Sequence, residues 1–198
     1  MADLEKTGKN LEGRGFRVHR FASGAEAAEF LVQTLHGTSI GIGGSVTIDT
    51  LGVYDRLCGS NEVFWHWKNH APETRERAGK AETYLCSANG VSENGEIVNI
   101  DGFGNRVAGT IYGPERVFLV VGRNKIAPDL TGAIDRARNI AAPLNARRLN
   151  RHTPCAVGEP RCHDCRSAEK VCGVMTVFFM PPTSIKEFHV LLVNEDLG

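Results

Sequence analysis

The sequence has no net charge, no long apolar run and no internal repeat. Lys plus Arg and Asp plus Glu number 23 each among 198 residues, so no overall field steers the chain toward nucleic acid or an anionic membrane, and an anion site has to be local. No apolar stretch approaches the roughly 18 residues that suggest a membrane span, and Met1 to Asn10 lacks the basic-then-apolar order of a secretory signal. The expected location is therefore cytoplasmic, where thiols stay reduced. Several motifs are missing as well. No G-x-G-x-x-G and no P-loop lysine follow a glycine-rich turn, which weakens dinucleotide and nucleoside triphosphate readings. No G-x-S-x-G elbow argues for a serine hydrolase, and seven scattered histidines form no H-E-x-x-H.

What is present reads as an ordinary globular chain, 41% apolar and 23% charged. Asp3 to Glu12 is polar with two leucines, so residues 1–14 are expected to be an arm or weak helix, with one α/β domain over 15–198. Phe16–Phe21 alternates as a half-exposed strand does, and Ser23 with Glu26 has capping-box spacing before a helix bearing Ala27, Phe30, Leu31 and Leu35. Ser39–Ile42, Glu62–Trp67 and Thr83–Ser87 read as strands, with helices through Ile48, Leu51 and Leu57 and from Pro72 to Lys80 between them. Asn94-Gly95 is a hairpin signal leading into Ile97–Ile100. Gly102, Gly104 and Gly109 suggest an open loop. The continuous apolar run Val117–Val121 predicts a central strand buried on both faces, hence a parallel sheet covered by helices. A helix follows from Asp129 and is expected to close at Pro143. Val174–Met180 and Phe188–Val193, separated by Pro181-Pro182, predict an antiparallel pair or extension at one sheet edge. The fold class is thus three-layer α/β/α with a mostly parallel sheet and a small antiparallel extension near the C-terminus.

Two segments carry the candidate binding chemistry. Gly41-Ile-Gly-Gly-Ser45 turns from a strand into a helix, where ligands of open α/β sheets gather. Gly43 and Gly44 allow close backbone approach, while Ser45 and Thr47 supply hydroxyls, so phosphate or carboxylate is the natural guest. The competing reading is a tight turn whose glycines serve packing alone. The second segment, Asn89 to Lys125, offers Asp101 and Glu96 as candidate general base or nucleophile. Asn105, Arg106 and Lys125 are candidate anion holders, Arg by its planar fork and Lys as a point charge.

The third feature is Cys155, Cys162, Cys165 and Cys172, spaced C-x6-C-x2-C-x6-C within the cysteine-rich loop 151–173. Four thiolates from one loop suit a zinc ion or an iron–sulfur cluster, although neither consensus spacing is matched. The alternative is free thiols or a pair of disulfides. Cys58 and Cys86 are expected in the core as small hydrophobes.

Taken in order, Gly43-Gly-Ser-Val-Thr47, Asn94-Gly-Glu-Ile-Val-Asn-Ile-Asp101, Gly104-Asn-Arg-Val-Ala108, Gly113-Pro114, Val121-Gly-Arg-Asn-Lys-Ile126 and Cys162-His-Asp-Cys165 resemble the LUD-domain, or lactate utilization, family. The resemblance runs from about Phe16 to the C-terminus and implies the NagB/RpiA/CoA-transferase-like fold. It also implies a role in oxidising L-lactate, or a related 2-hydroxy acid, to pyruvate beside separate iron–sulfur partner proteins. Gly43, Gly44, Ser45, Asn105, Arg106 and Lys125 match the family motifs. Three functions are carried forward: a subunit or accessory of that oxidation binding a small anionic metabolite, a sugar-phosphate isomerase or CoA-transferase-like enzyme, and a metal-stapled scaffold or electron-transfer partner.

Overall fold

The computed structural model describes residues 3–198. Helix α1 (Leu4–Gly13) is capped by the Asp3 carboxylate, which accepts from the Lys6 amide, and its Leu11 is fully buried. The segment expected as an arm or weak helix is therefore a docked helix. Strand β1 (Arg17–Phe21) and helix α2 (Gly24–Thr34) follow, with Ser23 Oγ accepting from the Glu26 amide as the capping spacing predicts. Then come β2 (Ser39–Ile42), two short helices α3 (Val46–Thr50) and α4 (Tyr54–Cys58), β3 (Glu62–Trp65), α5 (Thr74–Lys80) and β4 (Thr83–Cys86). Two helices replace the one read through Ile48 and Leu57 because Gly52, at φ +63°, breaks the run.

The hairpin is as expected. β5 (Gly90–Ser92) and β6 (Ile97–Asp101) pair antiparallel, and Gly95 at φ +90° makes the turn. The glycine-rich stretch after it is not an open loop but helix α6 (Asn105–Ile111), begun at Gly104 with φ +95°. Asp101 stabilises that start, its Oδ2 accepting from the amides of Arg106 and Val107 at 3.0 and 3.2 Å.

Six strands form an all-parallel sheet in the order β1-β10-β7-β4-β2-β3, where β7 is Arg116–Gly122 and β10 is Glu187–Val193. Both faces of β7 are buried. Val117, Leu119 and Val121 join one core cluster, and Phe118 and Val120 join the other. A second, four-stranded sheet runs β8-β5-β6-β9, with β8 at Ile126–Ala127 and β9 at Val174–Phe178. Here the expected pairing of the last two strands is corrected. β9 adds antiparallel to β6 in the small sheet, whereas β10 enters the middle of the large one, parallel to both β1 and β7. A fully apolar centre to the strand, Val190–Val193, demands cover on two faces, and only an interior position provides it.

Helix α7 (Leu130–Arg136) does not close at Pro143. It passes through a π-helical stretch, Ala137–Ala141, into α8 (Ala142–Arg148), where Pro143 occupies the first turn and needs no N–H partner. α7 lies directly on β5, since a Cβ at Gly90 would come within 2.5 Å of the Ala133 carbonyl oxygen. Helix α9 (Pro154–Val157) opens the cysteine-rich loop. Among the described residues no helix is long and apolar enough to cross a membrane.

Candidate functional site

At the carboxyl ends of β2, β4 and β7 lies a cavity of about 840 Å³. The glycine-rich turn, the end of β6, α7, α8 and residues 168–171 supply its walls. Its volume is that of clefts which enclose whole small molecules, roughly 300–1,000 Å³. The walls are strongly basic. Arg75, Arg106, Lys125, Arg136, Arg148, Arg151 and Lys170 face it, against the acidic side chains of Asp101 and Glu169 alone among the described residues. A chain with no net charge has gathered a local positive field.

Lys125 is the most buried of these cations. The 3₁₀ turn Arg123–Lys125 at the end of β7 turns it inward, and the residue is 6% exposed. Its Nζ donates to Thr47 Oγ1 at 2.6 Å and to Ser87 Oγ at 2.8 Å. Ser87 in turn donates to the Val120 carbonyl at 2.6 Å. Among the described residues no carboxylate lies within salt-bridge distance of this ammonium. Burial, joined by the charges of Arg136 and Arg106, pushes Lys125 down to about 7.

Arg106 spreads its guanidinium over protein acceptors: Asn89 Oδ1 at 2.8 Å, the Ile100 carbonyl, and the Ser87 carbonyl and Asn99 Oδ1 at 3.4 Å each. Among the described residues it too has no carboxylate partner. Arg136 donates through Nε to the Asn124 carbonyl at 2.7 Å and through Nη1 to the Asn89 carbonyl, and burial lowers its pKa. Its Nη2 donates to no acceptor among the described residues. Three buried or half-buried cations are thus held by hydroxyls and carbonyls, an arrangement that lacks a counter-ion and suits an anionic guest.

Aromatic groups line the mouth. Arg148 lies 4.6 Å over the Trp67 ring, and Arg75 lies 5.0 Å over exposed Phe103. His66 also lines the cavity, its Nδ1 buried without a partner, and burial together with Arg75 lowers its pKa.

The structure places the sequence-derived candidates unequally. Gly44, Ser45, Thr47, Asn105, Arg106 and Lys125 come together on the cavity. Gly43 lies just behind them with its amide bonded to the Leu85 carbonyl, and a Cβ there would stand 3.0 Å from both Arg106 Cγ and Tyr84 Oη. Close packing governs that glycine. Ser45 caps α3 by accepting from the Ile48 amide at 3.3 Å. Asp101 reaches the cavity, but its two oxygens accept from the amides of Phe103, Arg106 and Val107, which commits it to holding α6. Glu96 lies away from the cavity, bonded to Arg14 and to Ser92 Oγ. Sequence reasoning missed Ser87, Trp67, Arg136 and Arg148. Ser87 alone carried a signal, as the polar residue ending a buried strand.

The cysteine loop is organised differently. Cys155, Cys162, Cys165 and Cys172 are all free and half-buried. Burial raises the Cys172 thiol, Lys170 opposes that shift, and Cys162, Cys155 and Cys165 add smaller upward pushes. Cys162 Sγ accepts from Arg138 at 3.3 Å, and Thr153 Oγ1 lies 3.3 Å from Cys155 Sγ. Among the described residues no three His, Cys, Asp or Glu side chains converge as a metal site. Of the other two cysteines, Cys86 is buried as expected, while Cys58 is exposed at the end of α4.

The family model described as the LUD domain matches residues 4–193. The structure is similar to the crystal structure of a DUF162 family protein from Deinococcus radiodurans, at 14% identity and a TM-score of 0.57, over 96% of this chain and 95% of that one. At that identity the likeness speaks for the fold. No curated protein matches.

Proposed function

We propose a function that starts from kinship: the chain belongs to the LUD-domain family, which is associated with lactate utilization. In this reading it is a subunit or accessory of the oxidation of L-lactate, or a related 2-hydroxy acid, to pyruvate. It binds the small anionic metabolite in the basic cavity. The supporting observation is Lys125, a buried cation beside Arg106 and Arg136 with hydroxyls and no carboxylate around it. Such a group gains most when a ligand carboxylate supplies the missing charge. Oxidation removes two electrons and two protons from the hydroxy acid. Iron–sulfur partner proteins are the acceptor class that the reading requires, and the chain's own residues bind and orient the acid.

Isothermal titration tests the site. Lactate and pyruvate are expected to bind the native chain, and Lys125→Met is expected to weaken them by roughly ten- to a hundredfold, the worth of a hydrogen bond to a charged group. Equal affinity in the variant, or no binding to the native chain, removes the reading. The cavity volume favours one second reading, a larger anion such as a sugar phosphate or an acyl-CoA, as an isomerase or transferase would use. Tighter binding of either than of pyruvate would establish it.

The cysteine loop belongs to the same proposal. Its donor set has the chemistry of a zinc or iron–sulfur site, but the thiols do not converge in this structure, so no step is derived through a metal. What favours a role is position. Residues 168–171, between Cys165 and Cys172, form part of the cavity wall. Iron with sulfide, or zinc, is expected in anaerobically purified protein, and metal-free protein with four titratable loop thiols would reject the site.

A further inference from the structure

We propose that Lys125 is an amine nucleophile that captures the ketone carbon of a 2-oxo acid as an imine. This rests on the reading of the cavity as a site for a 2-hydroxy acid and its oxidation product.

Position comes first. Lys125 lines the cavity, and its Nζ is fixed by the hydroxyls of Thr47, in the first turn of α3, and Ser87, just past β4. A lysine that only held anions would keep its charge, and Arg136 and Arg106 already provide permanent charge near enough to act on it. Lysine instead offers what arginine cannot, a lone pair. With the ammonium disfavoured to about 7 by burial and by those arginines, Lys125 has roughly a thousandfold more neutral amine at pH 7 than an ordinary exposed lysine. Lys125→Arg would therefore keep the charge and lose the chemistry.

The two hydroxyls also differ in a useful way. Ser87 spends its proton on the Val120 carbonyl and can only accept from Nζ. Thr47 Oγ1 donates to no protein acceptor among the described residues, and Gly198 packs beside it and beside Nζ, a Cβ there standing 2.4 and 3.3 Å away, so a guest meets the pair alongside Gly198. The step balances without any oxidant. The Nζ lone pair forms the N–C bond, the carbonyl π pair moves to oxygen, and a proton passes from nitrogen to that oxygen through Thr47 to give the carbinolamine. The hydroxyl then takes up a proton from solvent, the C–O bond breaks as water leaves, and the nitrogen lone pair closes the C=N bond of a protonated imine. Arg136 Nη2, with no protein acceptor, is placed for the ligand carboxylate.

Reductive trapping decides the matter. The full chain is incubated with pyruvate and cyanoborohydride, measured by intact mass and then peptide-mapped, beside a calorimetric titration with pyruvate. The expected result is one saturable adduct on the peptide containing Lys125, lost in Lys125→Arg. Pyruvate binding without an adduct overturns the imine and leaves the anion site standing. Adducts spread over exposed lysines and unchanged in Lys125→Arg also overturn it. Absence of both binding and adduct overturns the site itself and the imine with it. Peptide mapping of the native chain keeps the test decisive if Lys125→Arg does not fold.

Discussion

The cavity and the cysteine loop are both dense in reactive side chains, yet they are held in opposite ways. Around Lys125 every functional group hangs from a strand end or a helix packed on the sheet, and the strands β2, β4 and β7 beneath it are fully buried along most of their length. Between residues 151 and 173 there is little core. Cys162 is placed by an amide bonded to Asn139 Oδ1 at 2.8 Å and by Arg138, while Arg147 holds the Ala156 and Gly158 carbonyls. Core packing fixes chemistry to within tenths of an ångström. Surface hydrogen bonds gather groups without aiming them. The difference teaches why the first region reads as a finished site and the second as donors that have not converged.

The largest expected effect breaks that comparison at its foundation. Phe118→Ala, in the middle of β7, should cost about 3–5 kcal/mol in denaturant unfolding, whereas Cys162→Ser in metal-free protein should fall within about 0.5 kcal/mol of the native chain. A cysteine variant as damaging as Phe118→Ala would show that the loop is structural. Next in size, Lys125→Met should separate function from stability. Losing the buried ammonium should leave the melting temperature unchanged or higher while affinity for lactate falls, because the cation is desolvated and unpaired by any carboxylate. A large drop in melting temperature would make Lys125 a structural post.

The smallest effect concerns acid. Burial holds His189 and His19 below the ordinary histidine range, and the two rings meet at 2.9 Å between β10 and β1. Arg17 lowers both further, while Glu187 opposes the shift at His189. In the unfolded chain they protonate near 6.5. The folded state thus binds fewer protons, and stability that is fully present above pH 6.5 is lost as pH falls from there through the lower folded-state values. Thermal melts at pH 7.5 and 5.5 should show this decline, with a shallower slope for His19→Phe/His189→Phe. An equal slope would assign acid sensitivity elsewhere.

The sequence made the parallel sheet legible where a strand had to be apolar on both sides, as at Val117–Val121. It revealed Phe188–Val193 as a strand but not its neighbours. Strand order depends on pairing between residues as distant as Arg17 and His189, which no local pattern encodes. Helix α6 was hidden behind its glycines. Gly104 supplies the left-handed entry, and Gly109 leaves room for the Tyr84 ring, 2.5 Å from where a Cβ would stand. In the site, Lys125, Arg106 and Thr47 were visible because they follow strands in polar, glycine-bearing turns. Arg136 was not, since it is an unremarkable helical residue until α7 settles on Gly90.

The π-helical stretch Ala137–Ala141 connects these lessons. A wide turn of this kind amounts to one surplus residue inside an otherwise regular helix. Removing one residue between Ala137 and Ala141 would close the wide turn to a regular one and leave Asn145 and Arg148 nearly in their present phase with Arg136. The wide turn is therefore a one-residue reserve, which the chain can give up without turning the binding face away from the pocket.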